Sequence, residues 1–312
     1  MLNFISSSVL CFSLVAAVHS GPLAESGCSH APSSGPLQTL VHFSDGTWAE
    51  NLYIRTDGSI IVSLYEGGPG QNVLVTPQAR GPATVQVLHR FPNENIGALG
   101  TGELEPDVFY FATVERGRLA TDSPAATGQI WSFDLNDFNG TELAVRLISN
   151  PTDSILPNGM TTTPGQPRKL LVADSQQGLI WRVDPETGVY DVASNDTLLH
   201  NVTSSLVGLG VNGIHTKGNF LYFTNTQENL FGRFPISDSG LQVGPAEILN
   251  NLTFSGIAWS QMKNGVVPVY LTSEGGFTDY EQPGPITVGG TLSMFDMDLG
   301  DFFSGKSYSK GP

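Results

Sequence analysis

The sequence predicts an all-β fold, a single β-propeller built from four-stranded antiparallel blades. Glycine and proline account for 36 and 20 of the 312 residues, and only 14% of the residues are charged. This composition is typical of a chain with many turns and short strands. The same order of strands and turns returns five times, and no stretch sustains a helical period. A repeated four-stranded unit indicates a propeller, because one such unit cannot bury both of its faces.

The clearest copy of the unit begins at Leu156–Met160, which contains an Asn-Gly pair. Lys169–Ala173 is predicted as a strand and Asp174–Gly178 as a polar loop. Leu179–Val183 alternates like a second strand, and the turn Asp184–Gly188 follows with Pro and Gly in turn positions.

Five inner strands are predicted to start near residues 51, 96, 158, 212 and 255. Subtraction gives intervals of 45, 62, 54 and 43 residues, which fit blades of ~40–50 residues with loop insertions. The longest interval contains the loop Glu115–Gly128, which lacks strand-forming residues. Leu37–Phe43 precedes the first blade as Val85–Phe91 precedes the second. It is therefore predicted to be the outer strand of the last blade, where its pairing with Thr291–Met297 closes the ring and protects the edges.

The N-terminal residues 1–20 are predicted to be a signal peptide. Their apolar run Val9–Val18 is shorter than the ~20 residues of a membrane span, and small residues precede Gly21. Residues 21–36 are expected to be a disordered lead-in, residues 37–300 the propeller and residues 301–312 a loose tail. No other apolar run reaches membrane length, so we expect a protein that is secreted or lies in the secretory lumen, without a membrane span.

Asn-X-Thr triplets support the secretory location, because N-glycosylation occurs at such triplets in surface loops of secreted proteins. The predicted glycosylation sites are Asn139, Asn195, Asn201 and Asn251.

The chain carries 29 acidic and 14 basic residues, a formal net charge of −15. This charge argues against nucleic acid and anionic membranes as partners. Cys28 would be the one cysteine left after removal of the signal peptide, since the other is Cys11. We therefore expect neither a disulfide framework nor a zinc cluster. The sequence does not indicate an oligomeric state.

One rim of the ring is predicted to carry the functional residues. Antiparallel strands alternate in direction, so the loop after each second strand returns to the face where the inner strand starts. Loops at the mouth of a channel are common binding sites. An Asn-Gly pair is a turn former, but several at equivalent positions also suit a ring of polar side chains, and both interpretations stay open. The predicted substrate-binding residues are Trp48, Asn51, Tyr65, Asp174, Asn225 and Ser255.

The inner-strand starts Ala49–Leu52, Pro157–Met160 and Val211–Ile214 resemble those of senescence-marker-protein/gluconolactonase-like propellers. The strands Leu170–Ser175 and Leu221–Thr226 extend the resemblance, which covers roughly residues 37–300. The resemblance implies six blades, one more than the sequence shows. It also implies a divalent metal, usually calcium, at the channel mouth of the lactonases and esterases in this family.

Glu50 and Asn158 match two ligand positions of those hydrolases, but the position that carries an acid there is Asn212 here. One carboxylate with neutral amides suits a hard cation poorly, because calcium affinity rises with the charge and number of its ligands. We therefore predict neither a metal nor a cofactor, with calcium only if the protein is a hydrolase. The predicted catalytic residues are Glu50, Asn158, Asn212 and His215.

Some small fungal propellers with this resemblance are similar to hetero-Diels–Alderases of secondary-metabolite pathways that make tropolone/polyketide–sesquiterpenoids. These enzymes join a reactive o-quinone methide to a terpene. A pericyclic step needs positioned partners and a donor on the polarised carbonyl, without a nucleophile or a metal. The resemblance implies such a metal-independent pericyclase with apolar small-molecule substrates. A calcium-dependent lactonase or esterase and a non-catalytic binding propeller remain the alternatives.

Overall fold

The computed structural model describes residues 12–15, 38–44, 46–66, 69–78, 80–116, 127–200, 209–228, 230–250, 256–257, 266–273 and 291–298. The predicted lead-in and tail lie outside this part of the chain. Apart from the short 3-10 helices Leu135–Asp137 and Thr197–Leu199, the regular elements described are strands. No helix among these residues is long and apolar enough to cross a membrane.

In chain order the strands are β1 (Phe12–Val15), β2 (Gln38–His42), β3 (Trp48–Ile54), β4 (Ile60–Glu66), β5 (Gln71–Thr76), β6 (Thr84–Arg90), β7 (Ile96–Glu105), β8 (Val108–Glu115), β9 (Gln129–Asp134), β10 (Arg146–Ser149), β11 (Pro157–Thr162), β12 (Leu170–Asp174), β13 (Leu179–Val183), β14 (Tyr190–Ser194), β15 (Val211–Lys217), β16 (Phe220–Asn225), β17 (Leu230–Pro235), β18 (Glu247–Asn250), β19 (Gly256–Ile257), β20 (Val266–Ser273) and β21 (Thr291–Asp298).

Four of the sheets are four-stranded antiparallel blades, which confirms the predicted fold class. Their orders are β3-β4-β5-β6, β7-β8-β9-β10, β11-β12-β13-β14 and β15-β16-β17-β18. In each blade the first strand in the sequence is the inner one, and neighbouring strands follow each other directly in the chain. Short polar turns make this possible, as at Gly58, whose φ of 86° is readily accessible only to glycine.

The fifth sheet closes the ring with the order β19-β1-β20-β21-β2. Strand β2 pairs antiparallel with β21, so that Gln38 lies opposite Met294 and His42 opposite Thr291. The predicted closure of the propeller by an N-terminal strand is therefore confirmed. The described residues form five sheets, the number visible in the sequence, and not the six that the family resemblance implies.

Strand β1 adds an element to the fifth sheet that the sequence analysis did not foresee. It comes from the segment predicted to be a signal peptide, and it lies between β19 and β20. It is parallel to β19 and antiparallel to β20. Strand β19 thus runs antiparallel to β20, the relation that each other inner strand has to the second strand of its blade.

The inner strands follow one another around the ring. Strand β7 packs against β3 and β11, β11 against β15, β15 against β19, and β20 against β3. Backbone hydrogen bonds join second-strand loops to inner-strand starts, from Arg116 N–H to the Asn95 carbonyl at 2.8 Å and from Ser175 N–H to the Leu156 carbonyl at 2.9 Å. A further backbone hydrogen bond, from Gly210 N–H to the Ser175 carbonyl at 2.7 Å, joins the third blade to the start of the fourth. These loops and starts therefore share one rim, as predicted.

The apolar core lies between the blades. In β12, Leu170 and Val172 pack with residues of the second blade, whereas Leu171 and Ala173 pack with residues of the fourth. All four side chains are buried, because both faces of this sheet meet a neighbour. Burying an aliphatic side chain such as Leu stabilises a fold by ~1.5–3 kcal/mol. The packing of successive blades therefore fixes the position of the inner strands.

Candidate functional site

The candidate site lies where the inner strands start, and a β-bulge interrupts each of the first four inner strands there. A bulge leaves residues without a regular partner and redirects their side chains, and bulges are common beside active sites. The register shifts fall between Ala49 and Asn51, Ala98 and Thr101, Pro157 and Met160, and Val211 and Ile214. The bulged segments contain Glu50, Asn158 and Asn212, three of the predicted catalytic residues.

The Asn-Gly pairs at residues 158–159 and 212–213 are not turns. Both lie inside strands, β11 and β15, and neither pair contains a residue of positive φ. The glycine serves close packing, since a Cβ atom on Gly159 would lie 2.3 Å from the Asn212 carbonyl oxygen. A Cβ atom on Gly100 would lie only 1.7 Å from the Asn158 carbonyl oxygen. The turn-former interpretation is therefore wrong here, and the glycines bring neighbouring inner strands into direct contact.

Glu50 is the one acidic residue among the three bulged polar residues. Its side chain is 3% exposed and forms side-chain hydrogen bonds with Asn158 and Trp48. Burial raises the pKa of Glu50 to about 7, although the two hydrogen bonds act in the opposite direction. At neutral pH the carboxyl group is therefore present in both forms. It can donate a hydrogen bond to a ligand oxygen when it is protonated.

Asn158 and Asn212 each keep a buried side-chain oxygen with no hydrogen-bond partner among the described residues. The rest of each amide is held in place, because Asn212 Nδ2 donates to Thr226 Oγ1 at 2.9 Å and Asn158 bonds to Glu50. An unpaired buried polar atom costs ~1–3 kcal/mol. Both oxygens, in adjacent inner strands, can therefore accept hydrogen bonds from a ligand.

Trp48 and Tyr65 form the aromatic part of the site. Their rings meet edge to face, with centroids 5.2 Å apart and an interplanar angle of 74°. The Tyr65 ring lies against Gly97, where a Cβ atom would come within 2.3 Å of it. The Arg116 guanidinium donates a hydrogen bond to the Tyr65 carbonyl oxygen at 2.7 Å. The same guanidinium lies over the Tyr65 ring, 5.8 Å from its centroid. The aromatic pair adjoins Glu50 through Trp48, so an apolar ligand group can lie beside the carboxyl.

Asp174 and Asn225 differ from the prediction, because their polar atoms are engaged inside the protein. The fully buried Asp174 carboxylate accepts from Ser154 Oγ at 2.9 Å and from several loop N–H groups. Asn225 Nδ2 donates to the carbonyl oxygens of Leu198 and His200 at 3.1 and 2.7 Å. Both residues therefore hold the rim loops in place and are not free to bind a substrate.

Asn51 is also engaged locally, since its Oδ1 accepts from Leu52 N–H at 2.8 Å. Ser255 and the predicted glycosylation sites Asn201 and Asn251 lie outside the described residues. The other two sites, Asn139 and Asn195, are exposed in surface segments, a position that glycosylation requires.

His215 does not join Glu50, Asn158 and Asn212. It lies opposite Tyr222 in the paired part of β15, beyond the bulge that contains Asn212. His215 follows Asn212 by three residues, and three residues of strand span ~10 Å. This spacing therefore separates the Asn212 and His215 side chains along the channel. His215 lines a pocket at the far ends of the inner strands, together with Tyr53, Glu103 and Thr161.

The donor set of the bulged residues does not fit a calcium ion. It offers one carboxylate, which already forms two hydrogen bonds, and two neutral amide oxygens. Calcium takes six to eight oxygen ligands and gains affinity from their charge. The Asp174 carboxylate is committed to loop donors. The described residues contain no group of three or more His, Cys, Asp or Glu placed to hold a metal.

A buried polar cluster that the sequence did not predict lies beside the site. Ser63 Oγ and Thr101 Oγ1 lie 2.7 Å apart, and Asn72 Nδ2 donates to Ser63 Oγ at 3.0 Å. Ser63 pairs with Asn51 across β3 and β4, which places the cluster next to the first bulge. The signal in the sequence was a serine within the apolar run Ile60–Tyr65, since polar residues inside a buried strand need partners.

Comparison with known proteins gives two related sequences and a fold neighbour. The chain is 24% identical over 229 residues to a Phoma protein named "Putative hetero-Diels-Alderase", covering 68% of this chain and 64% of that protein. It is 24% identical over 214 residues to the Sarocladium schorii protein "Putative hetero-Diels-Alderase asR5", covering 63% and 53%. This chain resembles hetero-Diels–Alderases. The predicted resemblance is thus confirmed, although the alignments span less than two thirds of each relative's length.

Among solved structures, the Malassezia sympodialis allergen Mala s 1 superposes with a TM-score of 0.50 at 12% identity. The superposition covers 87% of this chain and 84% of the allergen. This likeness concerns the fold alone. No family model matches the chain.

Proposed function

We propose that this protein is a metal-independent hetero-Diels–Alderase that joins an o-quinone methide to a terpene olefin in secondary-metabolite biosynthesis. The observation that carries the proposal is the buried Glu50 carboxyl, with a pKa of about 7 and a hydrogen bond to Asn158, on the rim where the amide oxygens of Asn158 and Asn212 lack partners. The sequence similarity to two proteins named as hetero-Diels–Alderases supports the reaction class.

The proposed reaction is a [4+2] cycloaddition. The O=C–C=C unit of the quinone methide supplies four π electrons and the terpene C=C bond supplies two. One C–O and one C–C σ bond form, three π bonds become one, and the product is a dihydropyran that contains all atoms of both substrates. No proton, electron or leaving group is exchanged with the protein. Its tasks are to orient the partners and to polarise the carbonyl oxygen.

Glu50 is the proposed hydrogen-bond donor to that oxygen. The quinone methide carbonyl gains negative charge as its ring becomes aromatic, so a donor stabilises the transition state more than the ground state. Removal of one such donor costs ~2.7–4 kcal/mol in enzymes that stabilise oxyanions. Asn158 positions the carboxyl through their hydrogen bond. The free amide oxygens of Asn158 and Asn212 are proposed to accept hydroxyl protons of the same substrate.

Trp48 and Tyr65 are proposed to hold the apolar partner. Fixing two reactants in a near-attack arrangement can supply ~7–11 kcal/mol of the barrier. Trp48 is the partly exposed member of the group and contacts Glu50, so its movement is the proposed route by which the carbonyl reaches the carboxyl. The secretory location and glycosylation at the exposed Asn139 and Asn195 remain part of the proposal.

The test is to generate a quinone methide in situ with a terpene olefin, and to measure the rate and stereochemistry of adduct formation. Glu50→Ala and Asn158→Ala are expected to lower the rate by about 10²-fold and to shift the product towards the stereochemical mixture of the spontaneous reaction. The matched control is Asn136→Ala, which removes an exposed amide remote from the site. Full rate and selectivity in both site variants would contradict the proposed roles.

A chelator separates this proposal from the hydrolase alternative. We expect the wild-type rate to be unchanged in excess EDTA, because the donor set suits calcium poorly. Loss of activity in EDTA that calcium alone restores would contradict metal independence. Hydrolysis of lactones without any adduct formation would instead identify a lactonase.

A further inference from the structure

A pocket lies at the end of the channel opposite the Glu50 site. Its volume is about 490 Å³, within the range of ligand pockets. It is lined by the last residues of inner strands and by the segment that follows β11, including Tyr53, Glu103, Thr162, Arg168 and Thr216. None of the bulged residues Glu50, Asn158 and Asn212 contributes to it.

Arg168 is the unusual residue of this pocket. Its side chain is partly buried, and the described residues provide it with neither a hydrogen bond nor an ion pair. By contrast, Arg55, Arg182 and Arg233 each bind a carboxylate. The chain has 29 acidic and 14 basic residues, so a partly buried guanidinium without an acidic partner is not explained by a shortage of acids.

Glu103 shares the pocket but is already engaged. One carboxylate oxygen accepts from Tyr53 Oη at 3.1 Å, and the other accepts from Asp107 N–H at 2.8 Å. Glu103 therefore holds Tyr53 in the pocket wall. Arg168 lies near enough to act electrostatically on Tyr53, which places the guanidinium on this side of the pocket.

Hydroxyl groups line the wall beside these charged residues. Thr161 Oγ1 accepts from Thr216 N–H at 3.1 Å, whereas Thr216 Oγ1 is buried without a hydrogen-bond partner among the described residues. Burial lowers the pKa of His215 to about 4, so the imidazole adds no positive charge at neutral pH. The pocket thus combines hydroxyl groups with one unpaired cation, Arg168, and one carboxylate, Glu103, whose two oxygens already accept hydrogen bonds.

We propose that this pocket binds a small hydroxylated carboxylic acid, with the carboxylate on Arg168 and the hydroxyl on Thr216. A guanidinium matches a carboxylate through two parallel N–H···O bonds, which makes arginine the favoured residue for this group. Thr216 lines the pocket, and rotation about its Cα–Cβ bond gives the buried hydroxyl the partner that it lacks. The site is independent of the Glu50 site, and its occupancy does not depend on the proposed cycloaddition.

Titration calorimetry with the full chain tests the proposal, with malate as the probe. Succinate lacks the hydroxyl group, erythritol lacks the carboxylates, and inorganic phosphate is an anion of different shape. We expect malate to bind most tightly and succinate several-fold more weakly, with no binding of erythritol. Arg168→Gln is expected to weaken malate binding by about tenfold or more, since a charge-assisted hydrogen bond contributes ~1.5–3 kcal/mol.

Arg146→Gln is the matched control, because it removes one exposed positive charge from an outer strand and leaves the pocket intact. Arg168→Lys keeps the charge but not the fork and is expected to bind with intermediate affinity, which also guards against misfolding of the Gln variant. Absence of malate binding, equal binding by Arg168→Gln and wild type, or equal affinity for erythritol or phosphate would each overturn the proposal. Adduct formation by the Glu50 site tests the proposed function separately.

Discussion

The raised pKa of Glu50 makes the stability of the protein depend on pH. Its folded pKa of about 7 lies above its ordinary value of 4.5. Between these two pH values the folded state binds more protons than the unfolded state, so the free energy of unfolding falls as the pH rises through this window. Above about pH 7 the loss is complete, at ~3 kcal/mol for a shift of this size.

Glu50→Gln is therefore expected to stabilise the protein at pH 8 and to change its stability little at pH 4. A neutral amide avoids the burial of charge, and its NH₂ group can donate to the unpaired Asn158 oxygen. Urea unfolding of variant and wild type across pH 4–8 measures the difference. A constant difference at all pH values would contradict the raised pKa.

His215 contributes with the opposite sign. Its pKa is lowered from 6.5 to about 4 by burial, so stability falls as the pH falls from 6.5 towards 4. The two groups partly cancel in the wild-type profile. Comparison of Glu50→Gln with wild type at each pH removes the His215 contribution, because both proteins contain it.

The proposed catalysis by Glu50 has a pH dependence of its own. The protonated carboxyl is the proposed donor, so the adduct rate is expected to fall as the pH rises through about 7. Glu50→Gln keeps a neutral donor and is expected to lose this pH dependence at a lower rate. A rate that rises with pH in the wild type would show that the ionised form is the active one.

The bulges are the elements that bring the site together. In β3, β11 and β15 they place Glu50, Asn158 and Asn212 at equivalent points of three inner strands, with β7 between β3 and β11. The second blade has a bulge as well, but it offers glycine at this point, and Gly100 lets β7 approach β11 closely. The arrangement of these three polar side chains thus depends on glycine at the points where neighbouring inner strands touch.

Gly100→Ala is expected to destabilise the protein by about 3 kcal/mol and to lower the adduct rate, because the new methyl group meets the backbone of Asn158. The control is Gly102→Ala, two residues further along β7. There the closest atoms to the methyl group belong to the flexible Met160 side chain, at 3.2 Å, and the Met160 backbone lies at 3.8 Å. We expect a change below about 1 kcal/mol. Equal effects in urea unfolding would show that the close approach does not matter.

At the scale of the whole molecule, the fifth sheet joins the two ends of the chain. It includes β1 from the segment predicted to be removed as a signal peptide, inserted between β19 and β20. Because β19 already runs antiparallel to β20, the two strands can pair directly once β1 is gone.

A chain that begins at Gly21 is therefore expected to fold with a melting temperature within about 4 °C of the full chain, a change of about 1 kcal/mol or less. Circular dichroism during heating measures the melting temperature. A chain that begins at Phe43 serves as the control, because it lacks β2 and cannot close the ring. A large loss on removal of residues 1–20 alone would show that β1 is part of the mature fold.

The sequence predicted the blades because period-2 patterns and turn residues act locally. It predicted the closure because Leu37–Phe43 precedes the first blade as Val85–Phe91 precedes the second. It also brought Glu50, Asn158 and Asn212 to attention, since their inner strands start alike. It could not distinguish Asp174 and Asn225, whose side chains hold loops, from side chains open to a ligand.

The sequence by itself thus determined the repeated strands, the shared rim and the closing strand, all of which follow from local patterns. Only the tertiary structure decided that the Asn-Gly pairs of β11 and β15 lie in bulged strands and that His215 belongs to the opposite pocket. It also decided the pKa of Glu50 and the isolation of Arg168. The physical reason is that burial, register and the presence of a partner depend on residues from other blades, which lie some 40 or more positions away in the chain.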